Sequence, residues 1–173
     1  GKMITQGLLQ AGAKVYITAR KNAACEEAAA ELSAFGTCVA IASDVGTAEG
    51  RAALLKAFRE REDRLHILIN NAGTNWGEVF DQYPDEAFEK VLHLNVSTIF
   101  SLTRDAVDLL EKAATPEDPA RVVNIGSMDG LHIPTVSRTG TYAYTSSKAA
   151  VHHLTRNLAV ALAPRSITVN AIA

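Results

Sequence analysis

Cysteine is scarce in this chain. Its 173 residues hold only Cys25 and Cys38, thirteen positions apart. A zinc site needs more ligands at closer spacing. The two thiols therefore read as small buried or half-buried side chains, and such usage fits a reducing, cytoplasmic compartment. An excess of positive charge is also missing: the net charge is −2. A basic face for nucleic acid or for an anionic membrane surface is not implied. No apolar run approaches the roughly 18 residues of a membrane span, and no secretory signal is visible. Nor is there an internal repeat or a low-complexity linker, so one domain over residues 1–173 is expected. His66, His93, His132, His152 and His153 offer no metal site. Neighbours such as His152 and His153 point about 100° apart on a helix and cannot share an ion; one is expected at the core edge and one at the surface. What remains, 47% hydrophobic and 21% charged residues, is the composition of a soluble globular domain long enough to bury a core.

Five short β-branched runs punctuate the chain: AKVYITA (13–19), CVAIASD (38–44), LHILINN (65–71), RVVNIGS (121–127) and ITVNAIA (167–173). Four are almost continuously hydrophobic, as strands covered on both faces are. Between them lie segments with apolar residues at three- and four-residue steps, including 85–113 and 141–163, which predict helices. Gly12 and Gly36 are placed as helix stops. Thr47 with Gly50 and Asp85 with Phe88 are placed as helix starts. Strand–helix alternation of this kind predicts an α/β fold, a Rossmann-like doubly wound parallel sheet. A dinucleotide-binding sheet normally opens with a strand, a glycine-rich turn and a helix. Here Gly1 leads at once into KMITQGLLQAGA, a helical pattern. The first strand and most of the glycine-rich turn are lacking, and at the other end the sequence stops in or just after a strand.

One stretch carries chemistry. In TYAYTSSKAAVHHLTR, Tyr144 and Lys148 are four residues apart, on one face of a helix. A free phenol is a poor acid–base catalyst at neutral pH; a neighbouring cation stabilises phenolate. Such a pair can pass a proton to an oxygen that becomes an alkoxide, or take one back. A lysine stem lying past a packed tyrosine would give the same spacing. Ser127 lies at the C-terminal end of a strand, where open α/β sheets bind ligands, and its hydroxyl is suited to a substrate carbonyl. Asn70, Asn71, Ala72 and Gly73 end another strand, where Gly73 permits close backbone approach. Asn95 sits among apolar residues inside a helix and needs partners there. It is expected to kink the helix and to hold a water on the way to Lys148.

NNAG at 70–73, Asn95 within LNV, IGS at 125–127, YxxxK at 144–148 and VNAIA at 169–173 occur in one order. As a set they resemble the short-chain dehydrogenase/reductase family, classical type, over essentially the whole chain. The resemblance implies an NAD(P)-dependent oxidoreductase acting on CH–OH groups. Tyr144 is then the catalytic acid/base, and Lys148 tunes it and binds the nicotinamide ribose. Ser127 orients the carbonyl, and Asn95 supports a proton-relay water. Asp44 contacts adenine, with Asn71, Ala72 and Gly73 lining the cofactor cleft. NAD-specific members carry an acidic residue after the second family strand; this chain has TARK at 18–21. Arg20 and Lys21 there favour the 2′-phosphate of NADPH. The loops look most like those of the 3-oxoacyl-thioester reductase branch, including members linked to rhamnolipid synthesis. That implies reduction of a 3-oxoacyl group carried by acyl carrier protein or coenzyme A, with Trp76 and Met128 beside the acyl chain. PTVSRTGT (134–141) lengthens the loop before Tyr144, with consequences for acyl length or carrier. Another alcohol or ketone substrate, or a non-catalytic dinucleotide sensor on the same fold, are the alternatives. Family resemblance also implies a homodimer or tetramer through helices around 95–110 and 149–162. In the family's strand order the missing strand is central, so this segment alone is expected to be marginally stable and weakly active.

Overall fold

The computed structural model describes residues 1–133, 135 and 140–173. The chain divides into two compact units, Gly1–Glu62 and Asp63–Ala173.

In the first unit, helix α1 (Lys2–Gln10) leads to strand β1 (Val15–Ile17), helix α2 (Asn22–Leu32), strand β2 (Cys38–Ala40) and helix α3 (Ala48–Arg59). The two strands pair in parallel, Val15 beside Cys38 and Ile17 beside Ala40, with α2 as the crossover. The helix stops fall where the glycines predict them. Gly12 takes φ +89° just beyond α1, and Gly36 takes φ +154° beyond the turn that ends α2, conformations that cost a residue with a Cβ. Thr47 caps α3: its Oγ1 accepts the Gly50 N–H at 3.0 Å. Leu9, Cys25, Ala29, Leu32, Leu55 and Phe58 are buried here. Both cysteines are free thiols, Cys25 buried and Cys38 half-buried.

The second unit begins with strand β3 (Ile67–Asn70) and helix α4 (Asp85–Leu92), continues through a π-turn (His93–Ser97) into α5 (Thr98–Asp105) and α6 (Val107–Ala113), and then reaches strand β4 (Ala120–Ile125). A 3₁₀ turn (Met128–Gly130), helix α7 (Tyr142–Leu162) and strand β5 (Ile167–Ile172) complete it. The order is β3-β4-β5. All three strands are parallel, with Asn70 beside Asn124 and Ile125 beside Ile172. This is α/β architecture with parallel sheets, as the alternating pattern predicts.

Four expectations need correction. The strands are shorter than their apolar runs, because Asp44, Asn71 and Ser127 lie in the turns that follow β2, β3 and β4. Helix α4 starts one residue off: Pro84 is the N-cap, its carbonyl accepting the Phe88 N–H at 3.1 Å. The helix expected over 85–113 with a kink at Asn95 is broken twice, by the π-turn at 93–97 centred on Asn95 and, unexpectedly, at Ala106, where φ is −100° and ψ is 0°. Finally, the sheet is not covered evenly on both faces. Ala120, Val122, Ile167 and Val169 are buried with Leu110 of α6 and with Leu158 and Leu162 of α7, whereas Arg121, Thr168 and Asn170 are exposed. Helices α6 and α7 gather on one face, and burial there follows the side-chain alternation of the strands. Of the lengthened loop, Pro134 and 136–139 lie outside the described residues. Gly140 pairs with Glu78 in an antiparallel bridge.

Candidate active site

The C-terminal ends of β3 and β4 and the first turns of α7 carry the chemistry-bearing residues of the second unit. A buried polar ladder fixes the frame. Asn70 Nδ2 donates to Thr103 Oγ1 (3.2 Å) and to Asn124 Oδ1 (2.8 Å). Asn124 Nδ2 in turn donates to Thr155 Oγ1 (2.9 Å). The neighbouring register of Asn70 and Asn124 thus becomes a chain of hydrogen bonds from α5 through two strands to α7. Such amides are stable in a core because each buried polar atom has a partner. Asn70 is therefore part of the frame.

Asn95 is 1% exposed at the centre of the π-turn. Its Oδ1 accepts the Thr74 N–H (2.8 Å), and its Nδ2 donates to the Thr74 carbonyl and to Ser147 Oγ, both at 2.9 Å. Ser147 Oγ donates onward to the Tyr144 carbonyl at 2.7 Å. The side chain braces the loop after β3 against α7. Since both of its protons are committed, any relay water here must be held through acceptor oxygens. Gly73 lies under the same amide, and a Cβ there would sit 3.2 Å from Asn95 Oδ1. Asn71 and Ala72 are exposed beside it.

On α7, Tyr144 is half-buried and Lys148 buried. The ammonium lies 5.5 Å from the centroid of the Tyr144 ring and donates to the Ile125 carbonyl at 2.6 Å. Burial pushes the Lys148 pKa below the ordinary lysine value, because desolvation disfavours the charged form. Two residues on from Ile125, Ser127 Oγ accepts the Asp129 N–H at 3.1 Å, which leaves its own proton free to donate. Gly130 presses the turn after Ser127 onto α7. A Cβ there would meet the Lys148 carbonyl carbon at 2.5 Å and the Ala149 nitrogen at 2.7 Å. The structure therefore brings Lys148 and Tyr144 together and docks the turn that begins at Ser127 against Lys148.

Trp76 is 44% exposed and Met128 64% exposed, so neither is core packing. The Trp76 carbonyl accepts the Tyr83 hydroxyl at 3.1 Å. Tyr83 and Phe80 each stack edge-on against Tyr142, with ring centroids 5.6 Å apart in both pairs. This aromatic group flanks the start of α7 and was not foreseen, since its members are distant in sequence. His152 is half-buried and His153 exposed. Among the described residues no group of three or more His, Cys, Asp or Glu is arranged to hold a metal, and no helix is long and apolar enough to cross a membrane.

In the first unit, Arg20 and Lys21 are exposed. Lys21 is the N-cap of α2 in extended conformation, so both cations stand where helix amides point outward. Asp44 lies four residues past the end of β2. One of its carboxylate oxygens accepts the Gly46 N–H at 3.0 Å.

A family model described as short chain dehydrogenase matches residues 1–173. The chain belongs to the short chain dehydrogenase family. It is 47% identical over its whole length to the rhamnolipids biosynthesis 3-oxoacyl-[acyl-carrier-protein] reductase of Pseudomonas aeruginosa, and it spans 66% of that relative. It is 29% identical to the 3-oxoacyl-[acyl-carrier-protein] reductase FabG of Vibrio cholerae, covering 67% of it. Among solved structures it resembles a Pseudomonas aeruginosa RhlG/NADP active-site complex, with a TM-score of 0.95 at 47% identity, over all of this chain and 66% of that one. Several supporting residues escaped sequence reading: Asn124, Ser147 and Thr155; one of His152 and His153 was expected at the core edge, without the bond that His152 makes to Ser127. Only Asn124 carried a signal, a polar amide inside a β-branched run.

Proposed function

We propose that the protein is an NADPH-dependent carbonyl reductase that converts 3-oxoacyl thioesters, carried by acyl carrier protein or coenzyme A, to 3-hydroxyacyl thioesters. The observation that carries this reading is the placement of the Lys148 ammonium 5.5 Å from the Tyr144 ring on α7, bonded to the last carbonyl of β4, whose next turn begins at Ser127. The names of the 47% and 29% identical relatives support the thioester substrate.

The residues fit the cofactor. Lys148 directs one N–H to Ile125 and has two more, with no carboxylate paired to it among the described residues, which suits the hydroxyls of a ribose. Arg20 and Lys21, exposed and unpaired with any carboxylate among the described residues, suit a phosphate monoester. The Asp44 carboxylate has an oxygen left over for an amine donor, and Asn71, Ala72 and Gly73 offer backbone and amide groups. When bound, NADPH supplies a hydride to the carbonyl carbon.

The chain's own part is positioning and proton transfer. The Ser127 hydroxyl, its oxygen already accepting from Asp129, donates to the substrate carbonyl oxygen and holds it near Tyr144. The Tyr144 hydroxyl donates its proton to that oxygen as negative charge develops there. Lys148 keeps positive charge beside the ring that has lost the proton. Trp76 and Met128 offer apolar surface to the acyl chain. Exposed Phe100 on α5 and Val160 on α7 support self-association through those helices into a dimer or tetramer.

Consumption of NADPH with acetoacetyl-coenzyme A, with longer 3-oxoacyl thioesters and with simple ketones tests the reading. A kcat/KM for thioesters at least tenfold above that for ketones is expected. Turnover of ketones alone would defeat the thioester assignment, and tight NADPH binding with no turnover of any carbonyl would defeat the reductase.

A further inference from the structure

Tyr144, Lys148 and His152 form one stripe on α7, each four residues beyond the last. The first two are absorbed by the proposed chemistry. His152 is not, yet it makes a contact of the same kind as Lys148. Its Nε2 lies 3.0 Å from the Ser127 carbonyl oxygen, while Lys148 Nζ lies 2.6 Å from the Ile125 carbonyl oxygen. A carbonyl only accepts, so Nε2 carries the proton.

Lys148 thus holds the last carbonyl of β4, and His152, one helical turn further on, holds the carbonyl of Ser127 in the turn that leaves the strand. Gly126, between them, is the residue that lets the imidazole in. A Cβ there would sit 2.5 Å from His152 Cε1 and 3.1 Å from the Ile172 carbonyl oxygen. The Ser127 carbonyl also accepts the Gly130 N–H at 3.0 Å, and Ser127 Oγ accepts the Asp129 N–H. Remove the imidazole and the Ser127 main chain keeps only contacts within its own turn. The turn then still packs on α7 through Gly130, but the Ser127 carbonyl has lost its hydrogen bond from the helix that carries Tyr144.

We propose that His152 is a positioning residue: its Nε2–H clamps the Ser127 main chain to α7 and so sets the Ser127 hydroxyl relative to Tyr144. This rests on the role given to Ser127 above. His152 touches neither substrate nor cofactor; it acts through Ser127.

The test is a double-mutant cycle in the holoenzyme with NADPH and a 3-oxoacyl thioester, together with NMR of the imidazole nitrogens in the free protein. His152→Leu is expected to lower kcat about tenfold or more, since misplacement of a positioning group by an ångström is that costly. The Kd for NADPH should stay within about threefold. His152→Gln, which places an amide N–H near the Nε2 position, should recover most of the loss, and it guards against a Leu variant that fails to fold. In a Ser127→Ala background His152→Leu should change kcat less than about twofold. The NMR should find the Nε2–H tautomer. An equal loss with and without Ser127, no loss in His152→Leu, or an Nδ1–H tautomer each overturns the clamp. A parent enzyme that turns over no 3-oxoacyl thioester refutes the functional reading instead.

Discussion

Replacing Asn95 by alanine separates a brace from a relay. The amide makes three hydrogen bonds: one accepted from the Thr74 N–H and two donated, to the Thr74 carbonyl and Ser147 Oγ. Each is worth about 0.5–1.5 kcal/mol net. Thr74 is half-buried, so water can satisfy part of what is left unpaired and the full penalty of a stranded group does not apply. Ser147 keeps its bond to the Tyr144 carbonyl. The sum is about 2–4 kcal/mol of lost stability. For a chain of this length each kcal/mol moves Tm by about 2–4 °C, so a drop of about 4–16 °C is expected. Urea unfolding followed by circular dichroism, with thermal melts beside it, reads both quantities. The slope of the urea transition should be unchanged, since the native fold exposes no new surface. A loss below about 1 kcal/mol with a large fall in activity would refute the brace and restore a purely catalytic Asn95.

The remaining predictions concern charge. Burial lowers the Lys148 pKa in the folded chain, so the unfolded chain binds more protons between the folded and the unfolded values. Stability therefore rises with pH through that window, and the penalty for burying the ammonium is fully present below the folded pKa. Relative to Lys148→Met, the parent should gain stability in urea titrations as pH rises toward the ordinary lysine value; a pH-independent difference contradicts the burial of a charged lysine. Replacing both Arg20 and Lys21 by alanine should raise the Kd for NADPH about tenfold or more, as loss of charge-assisted bonds to a phosphate does. The Kd for NADH should stay within about threefold, and equal weakening of both would remove the 2′-phosphate assignment.

Much of this was legible in the residues. β-Branched runs alternating with three-and-four periodicity gave the element order, and Gly12, Gly36 and Thr47 ended or began helices where their chemistry requires. The YxxxK spacing placed Tyr144 and Lys148 on one face because helix geometry is local. A kink at Asn95 was legible from a lone amide among apolar residues; the partners that fix it were not, because they are not local. Asn95 is held in place by Thr74 and Ser147, which lie 21 and 52 residues away. The partners of Asn124 and His152 were hidden for the same reason: a strand register and a helix packing must exist before the pairs meet. One-sided burial was missed because the exposed face of β4 and β5 carries as many β-branched residues as the buried one. Val123 and Thr168 have the same strand preference as Val122 and Val169, so the run reads as uniform.

The central claim is that the Tyr144 hydroxyl hands a proton to the substrate oxygen. Tyr144→Phe removes that one oxygen and leaves the ring beside Lys148. Single-turnover oxidation of bound NADPH with a 3-oxoacyl thioester measures the chemical step directly. A fall of about 10²-fold or more is expected, with NADPH affinity and Tm close to those of the parent. A variant that reduces the thioester at the parental rate would contradict it.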